Sequence, residues 1–452
     1  MDAHKARETS SARLAFAASA SPSAAVEATA LEARGVAAGF IDSGFASHAP
    51  NLLLRGEAAG LLRDGGYSHR TAAARLPSPY GSYPSERMSL GRDEPRTAII
   101  HYWLVGMRGG ERVLERLIRL FPRADIFTHV YNPDAVSSTI RARPVQTTFI
   151  QKLPGAQRHY QKYLPLMPLA LEQLDLRGYD LILSSESGPA KGVIVPPGAL
   201  HVCYCHSPMR YLWDHYTDYL HSAGRLTRLA MPMLTHGLRK WDHASSARVD
   251  RFIANSTFIQ QRIEKSYRRP SAVVFPPVDV SLFRPSDEID PHYLWVGQMT
   301  AYKRADLAVE AFNALGLPLM MVGEGEMLRE LKARARPNIK IVPRLGFDEL
   351  RQAYARCRAL VFTAEEDFGM VPVEAMASGR PVLAYGRGGA IDSVRPGVSG
   401  LFFREQTKES LIDAVEAMEA WLPQFNPADA IREAERFSPE RFDEGVLSVI
   451  AG

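Results

Sequence analysis

The chain has 452 residues, of which 46% are apolar and 23% charged, and its 54 lysines and arginines exceed its 50 acidic residues by only four. This composition excludes a wholly disordered chain, a collagen-like repeat and a small disulfide-stapled scaffold, and the length predicts two or three domains. The charge balance excludes a dedicated nucleic-acid binder, and no run approaches the roughly 18 uninterrupted apolar residues that a membrane span needs. We therefore expect a multidomain protein of the cytoplasm.

The first 95 residues differ in composition from the rest. They contain 21 alanines, ten basic and ten acidic residues, and only a weak helical period over residues 26–36. Residues 13–17 resemble a signal-peptide core, but the segment is short and acidic residues spoil its basic flank. We predict a disordered extension over residues 1–95. The alternative is a mis-assigned start, with translation beginning at Met88.

From Arg96 onward, strand, turn and helix patterns alternate. The first strand is predicted over residues 97–104 and the first helix over 111–121, from β-branched content and helical apolar spacing. Further strands are predicted at 180–184, 201–205, 251–254, 272–275, 293–296, 318–322, 339–342, 359–363 and 381–384, with helices at 305–315, 326–335, 347–356 and 372–378. Such alternation predicts an α/β fold with parallel sheets and crossover helices. A proline-rich boundary near residue 288 separates two Rossmann-like domains, 96–287 and 288–436, and a final helix follows over 437–452.

The three cysteines indicate buried thiols. Cys203 and Cys205 lie two apart on a predicted strand, so both point to one face and cannot easily pair. The neighbouring His206 invites a metal site, but no second pair of ligands follows at the required spacing. We expect no metal site.

A glycine-rich turn, VGMRGGE over residues 105–111, separates the first strand from the first helix. Glycines let the backbone approach a ligand closely, and a helix N-terminus offers free N–H groups in a positive potential. A phosphate therefore fits Gly109 and Gly110; the alternative is a tight turn that binds nothing. The segment is neither GxGxxG nor a P-loop, which disfavours an NAD-linked oxidoreductase.

Two glutamates, Glu366 and Glu374, follow the predicted strand 359–363. Pro372 marks a helix start, which places Glu366 on the loop and Glu374 in the first helical turn. Both would lie at the carboxyl end of a strand, where doubly wound sheets bind ligands. Carboxylates at this position can accept hydrogen bonds from a diol; the alternative is two solvated acids.

These residues carry a resemblance. The segment EDFGMVPVEAMASGRPVLAYGRGG, which begins at Glu366, resembles the Glu-x7-Glu motif of the retaining glycosyltransferases of family 4, which have the GT-B fold. The segment VGQMTAYKRADLAVEAF over 296–312 is similar to that family's phosphate-binding segment. The segment CHSPMRYLWDHY over 205–216 is similar to bacterial mannosyltransferases of O-antigen and exopolysaccharide synthesis. The resemblance covers residues 97–450 in order.

The resemblance implies a donor site. Glu374 would accept hydrogen bonds from the nucleotide ribose and Glu366 from the donor sugar, and Lys303 would bind the diphosphate. His206 would lie close to the donor sugar, and the glycine loop of Gly109 and Gly110 would line the site. Backbone N–H groups from three residues would bind the sugar and diphosphate: Phe368, Gly369 and Met370.

Two positions depart from the family pattern. Gln298 stands where arginine is usual, which removes one positive charge, and we suggest that Arg304 replaces it at the leaving group. Asp392 stands where glutamate is usual, which shortens that contact's reach. The catalytic candidates are His206, Glu366 and Lys303.

The resemblance also implies the reaction: transfer of a hexose, with mannose from GDP-mannose expected and a UDP-sugar as the alternative donor, without a metal ion or other cofactor. The expected partner is a lipid-linked oligosaccharide acceptor, and nucleic acid is not expected. In the resembling fold, the helix over 437–452 crosses back to the N-terminal domain.

A basic, aromatic segment suggests the acceptor side. No acidic residue occurs between Asp134 and Glu172, whereas five basic residues do: Arg141, Arg143, Lys152, Arg158 and Lys162. Such a segment suits an anionic membrane on the inner face of the plasma membrane, or a lipid-linked pyrophosphate; the alternative is a solvated face. A second basic run, 239–269, could add to it. Four residues after His206 are expected at the interdomain cleft as acceptor-binding candidates: Arg210, Tyr211, Trp213 and Asp214.

Two other functions remain open from sequence. A sugar-nucleotide epimerase would share the architecture but needs an acid/base pair that the sequence does not reveal. A non-catalytic sugar-nucleotide-binding protein would keep the phosphate-binding residues and tolerate loss of His206.

Overall fold

The structure is a computed structural model that describes residues 95–214, 216–217, 220 and 224–452. The predicted extension up to residue 94, its helical stretch over 26–36 and the alternative start at Met88 lie outside the described residues. Within the described residues the chain forms two sheets in which every strand pairing is parallel. The predicted α/β class with two Rossmann-like domains is confirmed.

The first sheet has seven strands in the order β3-β2-β1-β4-β5-β6-β7. Its strands are β1 (Thr97–His101), β2 (Asp125–Thr128), β3 (Val145–Thr147), β4 (Leu181–Glu186), β5 (Leu200–Cys205), β6 (Arg251–Ala254) and β7 (Ser271–Val273). The helices in this part of the chain are α1 (Gly109–Leu120), α2 (Ser138–Arg141), α3 (Ala156–His159), α4 (Met167–Glu172), α5 (Arg225–Ser246) and α6 (Thr257–Tyr267).

The second sheet has six strands in the order β10-β9-β8-β11-β12-β13. Its strands are β8 (Tyr293–Val296), β9 (Leu319–Val322), β10 (Ile339–Val342), β11 (Leu360–Phe362), β12 (Val382–Tyr385) and β13 (Gly400–Phe403). The remaining helices are α7 (Ala305–Leu315), α8 (Leu328–Arg334), α9 (Phe347–Arg356), α10 (Met370–Ala377), α11 (Ala390–Ser393), α12 (Lys408–Trp421), α13 (Pro427–Ala434) and α14 (Pro439–Ala451).

Strand β1 shows why these sheets form. All five of its residues are buried, as expected for a parallel strand whose two faces are both covered. The prediction that this strand continues to residue 104 is wrong, because the chain bends after His101 and Leu104 makes only an isolated bridge to Tyr131. That bend directs the following glycine loop over the edge of the sheet.

The last helix, α14, lies against the first sheet. It begins after Ser438, whose hydroxyl accepts a hydrogen bond from the Arg441 amide as an N-cap. Its buried residues Phe442, Val446 and Ile450 recur every four positions and join the apolar core beside β1 and α1. The chain thus ends on the domain in which the described part begins.

Candidate functional site

The glycine loop approaches His206 at the carboxyl edge of the first sheet. Helix α1 begins at Gly109, and the Glu111 carboxylate accepts a hydrogen bond from the Arg108 amide at 2.8 Å. A Cβ on Gly110 would lie 2.2 Å from the Tyr102 hydroxyl and 3.7 Å from His206 Nε2. Glycine is therefore required for this close approach. The structure brings together two predicted site features, the loop and His206.

His206 is buried and neutral. Its Nε2 lies 2.8 Å from the Ser185 hydroxyl, and its backbone N–H donates to the Glu186 carbonyl at 2.7 Å. Burial, assisted by the neighbouring His101, lowers the pKa of His206 to about 3. A neutral imidazole at this position can exchange hydrogen bonds with hydroxyl groups but adds no positive charge.

Glu366 and Glu374 lie at the carboxyl edge of the second sheet, after β11. Glu374 accepts a hydrogen bond from the Tyr354 hydroxyl at 2.8 Å. The prediction that Glu374 lies in the first helical turn is wrong, since α10 begins at Met370 and Glu374 is its fifth residue. Gly369, at a φ of 82°, lets the chain enter the helix two residues before Pro372, whose missing N–H is harmless in a first turn.

Lys303 forms an ion pair with Glu366, with Nζ 2.5 Å from Oε1. Burial alone would lower the pKa of Lys303, but the charges of Glu366 and Tyr302 offset it and raise this pKa above its usual value. The ammonium is therefore charged and held beside the Glu366 loop. Gln298 lies exposed on the loop after β8. The Arg304 guanidinium contacts the Asp306 carboxylate and the Gln406 carbonyl.

The loop that carries Glu366 packs directly on the loop that follows β12. The Gly389 amide donates to the Glu366 carbonyl at 2.8 Å, and a Cβ on Gly388 would lie 2.4 Å from the same carbonyl oxygen. The Phe368 ring is buried against Phe275 and Phe437. This packing fixes the backbone of the predicted donor-binding segment.

An ion pair and two hydrogen bonds join the edges of the two sheets across the cleft. Arg112 on α1 donates from Nη1 to Glu374 Oε1 at 3.0 Å. The Asp392 carboxylate accepts from the amide and hydroxyl of Thr257, at 2.8 and 2.7 Å, at the start of α6. Asp392 therefore caps a helix of the other domain.

Asp367 binds two arginines of the first domain. Arg210 Nη2 lies 2.5 Å and Arg262 Nη1 lies 3.0 Å from its Oδ1. Asp214 also pairs with Arg262. Arg210 and Asp214 are thus brought to the cleft within one charge network that includes the acidic residue next to Glu366.

The two aromatic acceptor candidates have partners inside the first domain. Trp213 Nε1 donates to Asp242 at 2.8 Å, and the Tyr211 hydroxyl lies 2.8 Å from the Met209 sulfur. Both rings pack against the apolar cluster around Met209 and Leu212.

Three further features bear on the sequence predictions. The three cysteines are free and buried. In the described part of the chain, no three His, Cys, Asp or Glu side chains are grouped as metal ligands would be. Across those same residues, we find no helix with the length and apolar character to cross a bilayer.

Comparison with known families decides the identity of the chain. A family model described as Glycosyltransferase Family 4 matches residues 107–282, and one described as Glycosyl transferases group 1 matches residues 290–420. Together these matches cover about two thirds of the chain, one for each sheet. The chain is a glycosyltransferase family 4-like protein.

Two curated relatives match part of this chain. An uncharacterised glycosyltransferase from Methanocaldococcus jannaschii is 26% identical over 172 residues, which span 37% of this chain and 48% of that protein. A D-inositol 3-phosphate glycosyltransferase from Actinosynnema mirum is 30% identical over 238 residues, which span 45% of this chain and 57% of that protein. The chain thus spans about half the length of the curated relatives it matches.

Solved structures share its fold. Anabaena HepE in complex with UDP-glucose is 17% identical with a TM-score of 0.59, covering 78% of this chain and 99% of its own. Sucrose-phosphate synthase from Thermosynechococcus elongatus is 16% identical with a TM-score of 0.59, covering 79% of this chain and 98% of its own. These likenesses establish the GT-B fold of two facing Rossmann-like domains.

Sequence reasoning missed several residues that the structure brings to the cleft. Arg112 and Tyr354 contact Glu374, and Arg262 binds Asp367. Asp367 lies inside the Glu366–Glu374 motif, so its position near the predicted donor site could have been inferred from sequence. The pairing of Arg112 with Glu374 joins residues 262 positions apart, and no local pattern indicates it.

Proposed function

We propose that this family 4-like chain is a retaining glycosyltransferase that moves a hexose from a nucleoside diphosphate sugar to a hydroxyl of an acceptor. The observation that carries the proposal is the Lys303–Glu366 ion pair at the carboxyl edge of β11. Glu374 lies on α10, the helix that follows the Glu366 loop. A cation and two carboxylates here provide ligands for a diphosphate and for sugar hydroxyls respectively.

The proposed chemistry is stabilisation of the leaving group. As the bond between the sugar carbon and the diphosphate breaks, negative charge develops on the phosphate oxygen and positive charge on the carbon. Lys303 and the N–H groups at the start of α1 and α10 are preorganised donors for that negative charge. We propose that these donors replace a metal ion and that the reaction needs none. Contacts across the cleft exclude water and so suppress hydrolysis of the donor.

We further propose mannose from GDP-mannose as the donor, on the resemblance of residues 205–216 to mannosyltransferases. A UDP-sugar is the competing donor, favoured by the UDP and UDP-glucose bound in the HepE structures. The proposed acceptor is a lipid-linked oligosaccharide of bacterial surface polysaccharide synthesis. Inositol 3-phosphate, named for several relatives, is the competing acceptor.

The membrane part of the proposal rests on exposed apolar side chains. Leu229 and Met233 lie four positions apart on α5, and each is 82% exposed. Lys240, farther along the same helix, is also exposed. Leucine and methionine beside basic groups suit insertion into an anionic lipid surface. Arginines of the second basic run are bound inside the protein instead, as Arg248 is to Glu172 and Arg269 to the carbonyls of Ser246 and Val249.

A transfer assay tests the proposal. Purified protein is incubated with each of GDP-mannose, UDP-glucose and UDP-N-acetylglucosamine, with and without a polyprenyl-diphosphate-linked acceptor, in the presence of EDTA. We expect product only with acceptor present, and most from GDP-mannose. Binding of donor without transfer to any acceptor would support the binding-protein alternative, and release of an epimerised sugar would support the epimerase.

Membrane docking is tested by flotation with vesicles containing phosphatidylglycerol. The variant Leu229→Asp/Met233→Asp is expected to lose binding, whereas Ile391→Asp, an exposed apolar residue on the other domain, keeps it. No flotation of the unmodified chain at low salt would refute the membrane part.

A further inference from the structure

Four buried side chains form a continuous line from the glycine loop to His206. Glu111 Oε1 lies 3.7 Å from His101 Nε2, His101 Nδ1 lies 3.1 Å from the Ser185 hydroxyl, and that hydroxyl lies 2.8 Å from His206 Nε2. Their exposed fractions are 3%, 1%, 0% and 9% in this order. We call this line the Glu111–His206 relay.

The sheet places these residues in line. Strands β1 and β4 pair with His101 opposite Ser185, both at their carboxyl ends. His206 follows β5, the next strand in the sheet. Glu111 enters from the first turn of α1 and also accepts the Arg108 amide, so one carboxylate touches both the glycine loop and the relay.

The charge of Glu111 and the hydrogen-bond valence of Ser185 give the relay a direction. Glu111 Oε1 faces His101 Nε2 at 3.7 Å, an ion-pair distance longer than a hydrogen bond, so the carboxylate favours the His101 tautomer that carries its proton on Nε2. His101 Nδ1 then accepts the one proton of the Ser185 hydroxyl. Because the Ser185 hydroxyl uses its only proton in the hydrogen bond to His101, its oxygen can only accept from His206. The proton of His206 must therefore lie on Nε2. Burial alone would raise the pKa of Glu111, but the His101 ring and the Arg108 amide offset it and lower this pKa, so Glu111 is ionised.

We propose that Glu111, His101 and Ser185 are positioning residues that hold His206 in the Nε2–H tautomer, which leaves Nδ1 as an unprotonated acceptor for a sugar hydroxyl. Among the described residues, His206 Nδ1 has no hydrogen-bond partner, so it is available to a ligand. The tautomer follows from the relay alone, and its use toward a sugar hydroxyl rests on the proposed function.

The strand offers a matched control for the relay. Ser184, adjacent to Ser185, is equally buried, and its hydroxyl lies 2.9 Å from Nε2 of a different histidine, His201. Ser184→Ala therefore removes a comparable serine–histidine contact without touching the relay. Ser185→Thr keeps the hydroxyl at the relay position and serves as the rescue variant.

The test is a two-bond ¹H–¹⁵N correlation of histidine side chains in the full-length, ¹⁵N-histidine-labelled chain at pH 7. The signals of His206 are assigned as those that are missing from the spectrum of His206→Asn. We expect His206 and His101 to carry their protons on Nε2 in the unmodified chain and in Ser184→Ala and Ser185→Thr. Ser185→Ala is expected to show a mixture of tautomers at His206, and so is Glu111→Gln, whose amide can donate to His101. A His206 proton on Nδ1 in the unmodified chain would overturn the proposal. So would an unchanged tautomer in both Ser185→Ala and Glu111→Gln.

A kinetic arm tests the use of the tautomer. Ser185→Ala is expected to lower kcat of transfer about two- to tenfold, the value of one hydrogen bond, with donor KM unchanged and with recovery in Ser185→Thr. Equal loss in Ser184→Ala and Ser185→Ala would overturn the link to the reaction. Absence of transfer in the unmodified chain, with the tautomers as expected, would reject the proposed function and leave the tautomer assignment standing.

Discussion

Arg112 Nη1 lies 3.0 Å from Glu374 Oε1, and this contact joins the first helix of one domain to the proposed ribose-binding carboxylate of the other. The second Glu374 oxygen accepts from the buried Tyr354 hydroxyl. Glu374 is thus oriented from both sides before a ligand arrives. Preorganisation of this kind lowers the ordering cost of binding, because the carboxylate does not have to be immobilised by the donor.

Replacing Glu374 with alanine is expected to abolish transfer while the fold survives. The variant loses the acceptor for the ribose hydroxyls and leaves the Tyr354 hydroxyl without a partner. Transfer of labelled sugar and far-ultraviolet circular dichroism are measured together. Glu416→Ala, an exposed glutamate on α12, is the control and should retain full activity. A fully active Glu374→Ala variant contradicts the site assignment.

Replacing Lys303 with alanine is expected to lower the transfer rate by about 10²–10³, the typical loss when one preorganised donor to developing negative charge is removed. The loss should appear in kcat at saturating donor. Lys332→Ala changes an exposed lysine on α8 and is expected to leave the rate unchanged. A full rate in the Lys303 variant argues against leaving-group stabilisation by this ammonium.

A buried ion triad that includes Glu186, the residue whose carbonyl accepts from the His206 amide, predicts a large stability effect. Lys191 Nζ lies 2.7 Å from Glu186 Oε1 and also pairs with Asp242, and all three side chains are fully buried. Lys191→Met leaves two uncompensated carboxylates and is expected to destabilise the fold by about 3–5 kcal/mol. Urea unfolding measures this. Arg334→Met, which removes surface pairs with Glu310 and Glu330, should cost no more than about 1 kcal/mol per pair.

Three buried histidines predict loss of stability in acid. Burial lowers the pKa of His129 and His201 to about 4 and that of His206 to about 3. The unfolded chain binds these protons at about pH 6.5, so unfolding takes up protons, and stability falls as the pH drops from about 6.5 towards 3. Each histidine contributes up to about 1.4 kcal/mol per pH unit.

The slope is measured by urea unfolding between pH 7 and pH 5. The slope of the unfolding free energy against pH is expected to fall in His129→Gln, because unfolding of this variant takes up one proton fewer. Replacement of the exposed His159 should leave the slope unchanged. Equal slopes for the unmodified chain and His129→Gln would argue against burial of a neutral His129.

Much of the fold was predictable from sequence because parallel strands buried on both faces read as apolar runs. Nine of the later strands and the helices at 305–315 and 347–356 were located in this way. The sequence prediction missed β2, β3 and β13; β3 has only three residues, none of which is buried, so it does not read as an apolar run. Helix α5 was missed because it mixes exposed apolar residues, such as Leu229, with a proline inside the helix, which obscures the helical period.

The candidate site was predictable only within each domain. Each motif directly follows a predicted strand. Because the segments after parallel strands lie at the carboxyl edge of the sheet, Glu366, Glu374 and the glycine loop could be placed there. What each residue contacts depends on the facing domain, as for Asp392 with Thr257 and Asp367 with Arg210. These contacts come from how the two sheets face each other, which no local pattern encodes.

Calorimetric titration of the unmodified chain, Lys303→Ala and Glu374→Ala with GDP-mannose, UDP-glucose, GDP and UDP tests the proposed donor site. We expect saturable binding of a nucleoside diphosphate sugar to the unmodified chain, at least tenfold weaker binding in each variant, and GDP-mannose as the tightest ligand. Tighter binding of UDP-glucose would replace the mannose assignment and keep the site. Equal binding to all three proteins, or no binding of any nucleotide, would contradict a donor site at Lys303, Glu366 and Glu374.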